Sequence, residues 1–376
     1  MSAETFIPVE SPAIVITEVI EMGGAERSCL ALARWLYEHG ITPHFVTYRD
    51  NVGLEKFANH PLPVMQLQPQ MDAQHKITAL RDYFSARGHG PKPLMSGYQP
   101  ALHAALAGMR GFHCLMHDTP SLFGDASKKQ SLKKKLARWI SDRSTAHGLR
   151  TGGQTIVTSE YLKADTKRVF GVDATIVRMG GLSQPDAFRP RPVHNTLKMF
   201  SVSRVEANKR IDWMVRALAQ MERSSVPLSS AIDWRLDIAG KGSALDAMRR
   251  LATELGVAER IHFHGFVSDE QLEQLYREAQ LFLMPAVQGY GIPAIEALSR
   301  GIPVLLHRES GVSDILLDTP WATVMEGGEE AMAPALTSAI EQVCESRHLA
   351  ALLPHLPTED SWAEEVARLC GWIESA

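Results

Sequence analysis

Short runs of Val, Ile, Leu and Phe alternate with amphipathic helical segments through the second half of the chain, and that alternation admits few folds. Lys198 to Val205, Arg235 to Ala239, Ile261 to Phe266, Leu281 to Met284 and Pro303 to His307 read as strands. Helices are expected at Ile211 to Met221, Ala244 to Leu255, Asp269 to Ala279 and Pro293 to Arg300. Largely apolar runs suit strands covered on both faces, as in a parallel sheet. Strand-helix-strand connections of this kind wind one way and cover both faces, so a doubly wound α/β domain is expected.

The first half carries a similar pattern with shorter segments. Ala13 to Ile20 reads as a buried strand, followed by a double glycine at Gly23-Gly24 and a helix with Leu30, Leu32, Ala33, Leu36 and Tyr37 on its apolar side. Gly40 stops that helix. His44 to Tyr48, segments near Val64 and Leu94, Phe112 to Met116, Thr155 to Ser159 and Ala174 to Arg178 are further strand candidates. A chain of 376 residues exceeds a comfortable single core. The boundary is expected in the proline-marked crossing from Gly180-Gly181 through Pro185, Pro190 and Pro192.

Composition excludes several classes. A net charge of -4 gives no reason to expect nucleic acid. Cys29, Cys114, Cys344 and Cys370 lack C-x-x-C spacing, which fits reduced thiols better than a disulfide frame or zinc site. No basic segment followed by an apolar run opens the sequence, and no apolar run approaches membrane-spanning length, so a cytoplasmic protein is expected.

The candidate chemistry sits at strand ends. Met284 to Val304 holds a strand end, Gly289-Tyr290-Gly291, Ile292-Pro293 and Glu296. Glycines there can adopt backbone angles closed to other residues, Pro293 suits a first helical turn, and helix-terminal N–H groups attract phosphate. Glu296, one turn in, could accept hydrogen bonds from a ribose diol; taken alone, the stretch also fits an ordinary strand-to-helix joint. Arg204 and Lys209, five apart, flank the turn after another strand, where a guanidinium fork and a mobile ammonium can share a diphosphate or simply be surface charges. Gly240-Lys241-Gly242 closes the next strand, and His262 and His264 alternate along another without a third metal ligand. Gly23-Gly24 allows close backbone approach at a first βα turn. His117 stands just past a strand's carboxyl end, where open α/β sheets bind ligands, with Asp118 beside it to fix a tautomer. Lys128 to Arg143 places Leu132, Leu136, Trp139 and Ile140 on one helix face opposed by lysines. That pattern fits a peripheral membrane contact or a solvated helix packed on its own sheet.

These pieces in this order resemble the retaining nucleotide-sugar glycosyltransferases of family 4, whose GT-B architecture sets two Rossmann-like doubly wound domains facing an interdomain cleft. The resemblance runs from GGAERS at Gly23 through HDTPS at His117 and SRVEANKRID at Ser203, and is most specific from Ile238 to Pro303. It implies an acceptor-side domain over 1–190, a donor domain over 191–357, and an amphipathic segment within 358–376 crossing back onto the first domain through Trp362, Val366, Leu369 and Trp372. Arg204 and Lys209 would hold the donor diphosphate, Glu296 the ribose hydroxyls, and the backbone at Phe266 and Val267 the base. Amides near Gly289, Tyr290, Gly291 and Ile292 would sit at the phosphates and transferred sugar. Gly23 and Gly24 would approach the phosphates from the other domain, and His117 would face the sugar.

One position departs from that pattern. Eight residues before Glu296 the family usually carries a carboxylate touching the transferred sugar, and here Gln288 stands there. Gln retains reach but loses charge and gains a donor. The resemblance implies a metal-independent hexosyltransferase acting in glycan or glycolipid assembly, and the basic helix Lys128 to Arg143 adds a place peripheral to the inner membrane face to the cytoplasmic expectation. It implies no cofactor: a nucleoside-diphosphate-sugar, foremost a UDP- or GDP-sugar, is the co-substrate and a glycan, glycolipid or other hydroxyl the acceptor. The alternatives are a catalytically weakened nucleotide-sugar-binding regulator or partner subunit, motivated by Gln288, and a nucleotide-sugar epimerase or hydrolase.

Overall fold

The computed structural model describes residues 7–20, 22–68, 72–117, 119–123, 132–181, 192–223 and 233–374. The chain forms two compact units, Met1–Leu182 with Pro357–Ala376, and Ser183–Leu356. Each is built on a parallel sheet.

In the first unit, strands β1 (Ala13–Val15), β2 (His44–Thr47), β3 (Val64–Gln66), β4 (Leu94–Ser96), β5 (His113–Met116), β6 (Thr155–Val157) and β7 (Thr175–Ile176) stand in the order β3-β2-β1-β4-β5-β6-β7. Five helices intervene: α1 (Gly24–Glu38), α2 (Ala73–Arg87), α3 (Tyr98–Leu106), α4 (Leu132–Thr151) and α5 (Glu160–Phe170). The expected single strand Ala13 to Ile20 is broken. After β1 the chain leaves the sheet, and Glu18–Val19 pairs separately with Arg49–Asp50. The break follows from hydrogen bonding: the Thr17 carbonyl accepts both the Tyr48 amide at 2.8 Å and the Thr47 hydroxyl at 2.7 Å. In α1 the buried side is Cys29, Leu32, Trp35 and Leu36, so Trp35 takes the place expected of Tyr37, which is exposed.

The second unit continues with β8 (Thr196–Val202), α6 (Ile211–Arg223), β9 (Asp233–Ala239), α7 (Leu245–Glu254), β10 (Ile261–Gly265), α8 (Asp269–Glu278), β11 (Leu281–Met284), α9 (Ile292–Ser299) and β12 (Val304–His307). Two elements lie beyond the expected set, β13 (Ala322–Met325) and α10 (Met332–Cys344). The strand order is β10-β9-β8-β11-β12-β13. The sheet therefore grows one way from β8 and then, through β11, the other. Helices supply the apolar cover by 3.6-residue spacing: Ile211, Met214, Val215 and Leu218 of α6 and Leu336, Ile340 and Val343 of α10 enter one core with Met199, Leu236 and Leu283.

Helix α11 (Glu359–Leu369) belongs to the first unit. It buries Trp362, Ala363, Val366 and Ala367 and packs on α1, with Arg34 paired to Glu359 and Asp360. A Cβ on Gly180 would lie 2.3 Å from the Thr358 carbonyl carbon, so only glycine admits that approach.

Candidate functional site

The chain reverses the direction in which it adds strands between β8 and β11, which run parallel, and this creates a topological switch point, the place where open parallel sheets bind ligands beyond their carboxyl ends. Both cation and glycine motifs of the second unit leave the sheet here. Arg204 follows β8 and is exposed, while Lys209 ends a short 3₁₀ turn, Ala207–Lys209, just before α6. The loop after β11 carries Gln288 to Gly291.

Long-range hydrogen bonds lock the two loops together. The Val287 amide donates to the Asn208 carbonyl at 3.0 Å, and Asn208 Nδ2 returns to the Val287 carbonyl at 3.2 Å. That clamp sets Lys209 Nζ 2.7 Å from Gln288 Oε1. The Gln288 amide in turn donates to Met284 Sδ at 2.9 Å and Ser310 Oγ at 3.4 Å, so its side chain is engaged at both ends. Arg210 adopts a left-handed backbone, φ 53°, lies over the Trp213 ring at 4.2 Å and pairs with Glu309, bracing the same corner. Asn208 and Arg210, inside the SRVEANKRID motif but given no role by it, and Glu309 and Ser310, outside any motif, are added to the site by these contacts.

Of the two glycines in the β11 loop, only Gly291 uses a conformation reserved for glycine, φ 137°, and it caps α9. Its missing side chain leaves room that a Cβ would take from Met284 Cε at 2.6 Å and Gln288 Nε2 at 2.9 Å. Gly289 has no positive φ, so of the two glycines that could take such angles only Gly291 does. Ile292 and Pro293 open α9; Pro293 has no N–H to leave unsatisfied, the Ala294 amide donates to the Gly291 carbonyl at 3.0 Å, and this end carries the positive end of the helix dipole.

Glu296 lies in the second turn of α9 and is buried, 9% exposed. Tyr276 of α8 donates its hydroxyl to Glu296 Oε2 at 2.9 Å, and the Arg300 guanidinium covers the tyrosine ring at 4.6 Å while binding Glu273 at 2.6 Å. Burial first, then the Glu296 carboxylate, push the Tyr276 hydroxyl well above its ordinary pKa. The phenol remains a proton donor, which orients the carboxylate.

The adjoining loops are as tightly joined. Gly240, φ 130°, would set a Cβ 1.8 Å from the Ser203 carbonyl oxygen, and the Val205 amide donates to the Lys241 carbonyl at 2.8 Å. Glu206 accepts from the Ser243 amide at 3.1 Å and hydroxyl at 2.8 Å, bonds that hold its carboxyl below the usual range. Past β10, Phe266 is 75% exposed with Lys241 Nζ 5.3 Å from its ring centre, and Val267 is half-buried beside it. His264 pairs with Asp237 at 2.7 Å on the sheet.

In the first unit, β1 and β4 flank the corresponding switch point. Gly23 is extended, φ -106°, and its amide donates to Glu26 Oε2 at 3.0 Å; beside Gly24 there is open space. Neither glycine is required by its backbone angles. The Glu26 carboxylate already occupies the helix start. His117 Nε2 lies 3.0 Å from Ser96 Oγ, and Cys29 Sγ of α1 lies 3.1 Å beyond. Cys29 Sγ donates to Ser96 Oγ, and burial pushes its thiol up to about 12. Asp118 lies outside the described residues, as do Lys128, Lys129, Pro185 and Pro190.

Residues 184–350 match the family described as Glycosyl transferases group 1, and residues 22–179 match Glycosyltransferase Family 4. The two ranges divide almost where the units do. Both matched families are glycosyltransferase families, and together the two ranges span most of the chain. The chain is 28% identical over 214 residues to a GDP-mannose-dependent alpha-(1-6)-phosphatidylinositol monomannoside mannosyltransferase of Mycolicibacterium smegmatis, covering 52% of this chain and 54% of that protein. A D-inositol 3-phosphate glycosyltransferase of Nocardia farcinica is 30% identical over 243 residues, 62% of this chain and 51% of its own. The chain thus spans about half the length of these relatives. Among solved structures, Anabaena HepE in complex with UDP and glucose superposes with a TM-score of 0.73 at 14% identity, covering 96% of this chain and 100% of that one. The shared fold is the two-domain GT-B arrangement of parallel-sheet domains.

Proposed function

We propose that this protein moves a sugar from a nucleoside-diphosphate-sugar to a hydroxyl acceptor, with retention and without a metal. The observation that carries the reading is the convergence, at one switch point, of the β8 loop bearing Arg204 and Lys209 with the β11 loop and α9 start, clamped through Asn208 and Val287. Arg204 and Lys209 bind the diphosphate and neutralise the charge that grows on it as the glycosidic bond ionises toward an oxocarbenium ion. Amides at Gly289 to Ile292 take the distal phosphate and the transferred sugar. Glu296, held by Tyr276, reads the ribose, and the backbone at Phe266 and Val267 frames the base. Gly23, Gly24 and His117 are assigned to the first unit's share of sugar and acceptor handling. UDP and GDP remain the foremost donor nucleotides: one relative is named as GDP-mannose-dependent, and one structural neighbour holds UDP and glucose.

A thermal-shift panel of UDP-, GDP-, ADP- and TDP-sugars identifies the donor, since ligand near 100 times its dissociation constant adds about 2.7 kcal/mol of stability. With that donor, Arg204→Ala and Lys209→Ala each lose about 2 to 4 kcal/mol of transition-state stabilisation, a roughly 30- to 1000-fold drop in kcat/KM. Normal turnover by both variants would end this assignment of the phosphate clamp. A donor-binding regulator is the second reading, favoured by the engagement of Gln288 inside the protein; it requires saturable donor binding with neither transfer nor donor hydrolysis.

A further inference from the structure

Helix α4 is built with two opposed faces. Its second half packs into the first unit through Thr145, Ala146, Gly148 and Leu149. Gly148 is so close to α3 that a Cβ would lie 2.6 Å from that of Ala105. Earlier on the same side, Arg138 binds Asp142 at 2.8 Å and the Pro120 carbonyl at 2.8 Å. At about 100° per residue, positions 138, 142, 145 and 149 fall on one side of the helix and 132, 136, 139, 140 and 143 on the other.

That outward side is the apolar one. Leu132 is 85% exposed, Leu136 58%, Trp139 55% and Ile140 48%. A helix that merely covers its own domain turns such residues inward. Lys133 and Lys135 are exposed at the two edges of the stripe, Arg143 lies over the Trp139 ring at 5.1 Å, and Asp142, bound to Arg138, is the one acidic residue between 132 and 143. With the whole chain at net charge -4, this concentration of positive charge is local. It disfavours pairing with a second copy through the same face, which would bring two sets of lysines together. It favours a surface that is apolar beneath and anionic at the rim, and Trp and Leu over a basic flank suit the headgroup boundary of a bilayer. No helix among the described residues is long and apolar enough to cross a membrane.

We propose that Leu132 to Arg143 docks the protein on an anionic lipid surface, with Leu132, Leu136, Trp139 and Ile140 inserted at the headgroup boundary and Lys133, Lys135 and Arg143 on the lipid phosphates. The proposal is independent of the sugar-transfer reading, because it is tested without donor or acceptor. Flotation of the full chain with vesicles of phosphatidylcholine alone, or mixed equally with phosphatidylglycerol, measures it directly. The protein should float with the mixed vesicles and not the neutral ones, and lose binding at about 0.5 M salt. Lys133→Glu/Lys135→Glu should lower partitioning roughly 100-fold. Leu136→Ser/Trp139→Ser should abolish it and remove the blue shift of tryptophan emission that the parent gives on vesicles. Circular dichroism of both variants should stay at the parent melting point, since the altered side chains are exposed. Equal flotation with neutral vesicles, insensitivity to the lysine changes, or no flotation at all overturns the proposal. So does self-association that Leu136→Ser/Trp139→Ser abolishes in a protein that ignores vesicles, which would assign the face to a second copy.

Discussion

Lys209 keeps its ammonium beside a neutral amide, Gln288 Oε1 at 2.7 Å, where the family pattern would put a carboxylate. The amide orients the lysine through that bond, and on the proposed reading it aims the ammonium at the donor diphosphate. Gln288→Glu would pair with Lys209 and repel the phosphates, and an increase in donor KM of roughly 10-fold, about 1.4 kcal/mol, is expected. Steady-state kinetics check this; a large gain in kcat instead would favour the donor-binding regulator as the present state of the site. A second residue-scale consequence concerns acid. His44 gives Nδ1–H to Ser11 Oγ at 3.0 Å, because Ser11 spends its own proton on the Thr42 carbonyl, and its Nε2 accepts from Tyr83 at 2.9 Å. The ring is bound as the neutral form, and burial lowers its pKa to about 3; burial likewise lowers His103 and His113 to about 4. With folded values below the unfolded one near 6.5, the unfolded chain binds more protons between them. The stability these rings contribute is thus full above about pH 6.5 and falls as pH drops toward 4. Thermal midpoints measured from about pH 7 to pH 5 should decline steadily, and a flat profile would contradict the neutral assignment.

At the scale of elements, the loops beyond β8, β9 and β11 depend on two glycines in different ways. Gly240 faces the Ser203 carbonyl oxygen at 1.8 Å from an added Cβ, a backbone atom that moves only with its loop, whereas Gly291 faces the ends of Met284 and Gln288. Gly291→Ala should cost about 1 to 2 kcal/mol, chiefly from its positive φ, and Gly240→Ala about 3 kcal/mol or more, with loss of the β8-β9 loop register. Chemical denaturation distinguishes them, and equal losses would mean that the backbone contact relaxes freely. The same loops explain what was legible beforehand. Strands with a long apolar run, such as Leu281–Met284, and helices with clear spacing, such as α6, follow from the sequence within a residue or two. The break after β1 does not, because it rests on hydrogen bonds from Thr47 and Tyr48 to the Thr17 carbonyl, some thirty positions away. Arg204, Lys209 and the Gly291 cap stand out locally by their place at strand ends. Asn208 and Arg210 do not, since their meaning lies in partners 79 and 99 positions away, Val287 and Glu309. Likewise Tyr276 reads as a helix core residue until its hydroxyl is found on Glu296.

For the whole molecule, the second unit is inserted between two parts of the first. Helix α11 follows it in sequence yet packs on α1, burying Trp362 and Val366. Truncation before Pro357 should therefore leave the second unit folded, with protease-resistant fragments spanning it, while the first becomes readily cleaved; uniform resistance of both units would refute that dependence. Time enters through the same connection. During synthesis α1 is made early, but its partner helix emerges only after Ser183–Leu356 has been built, a wait of roughly 10 to 40 s at 5–20 residues per second. The apolar side of α1 that α11 will cover is bare throughout that interval, so the nascent first unit is the part of this protein with most need of a chaperone.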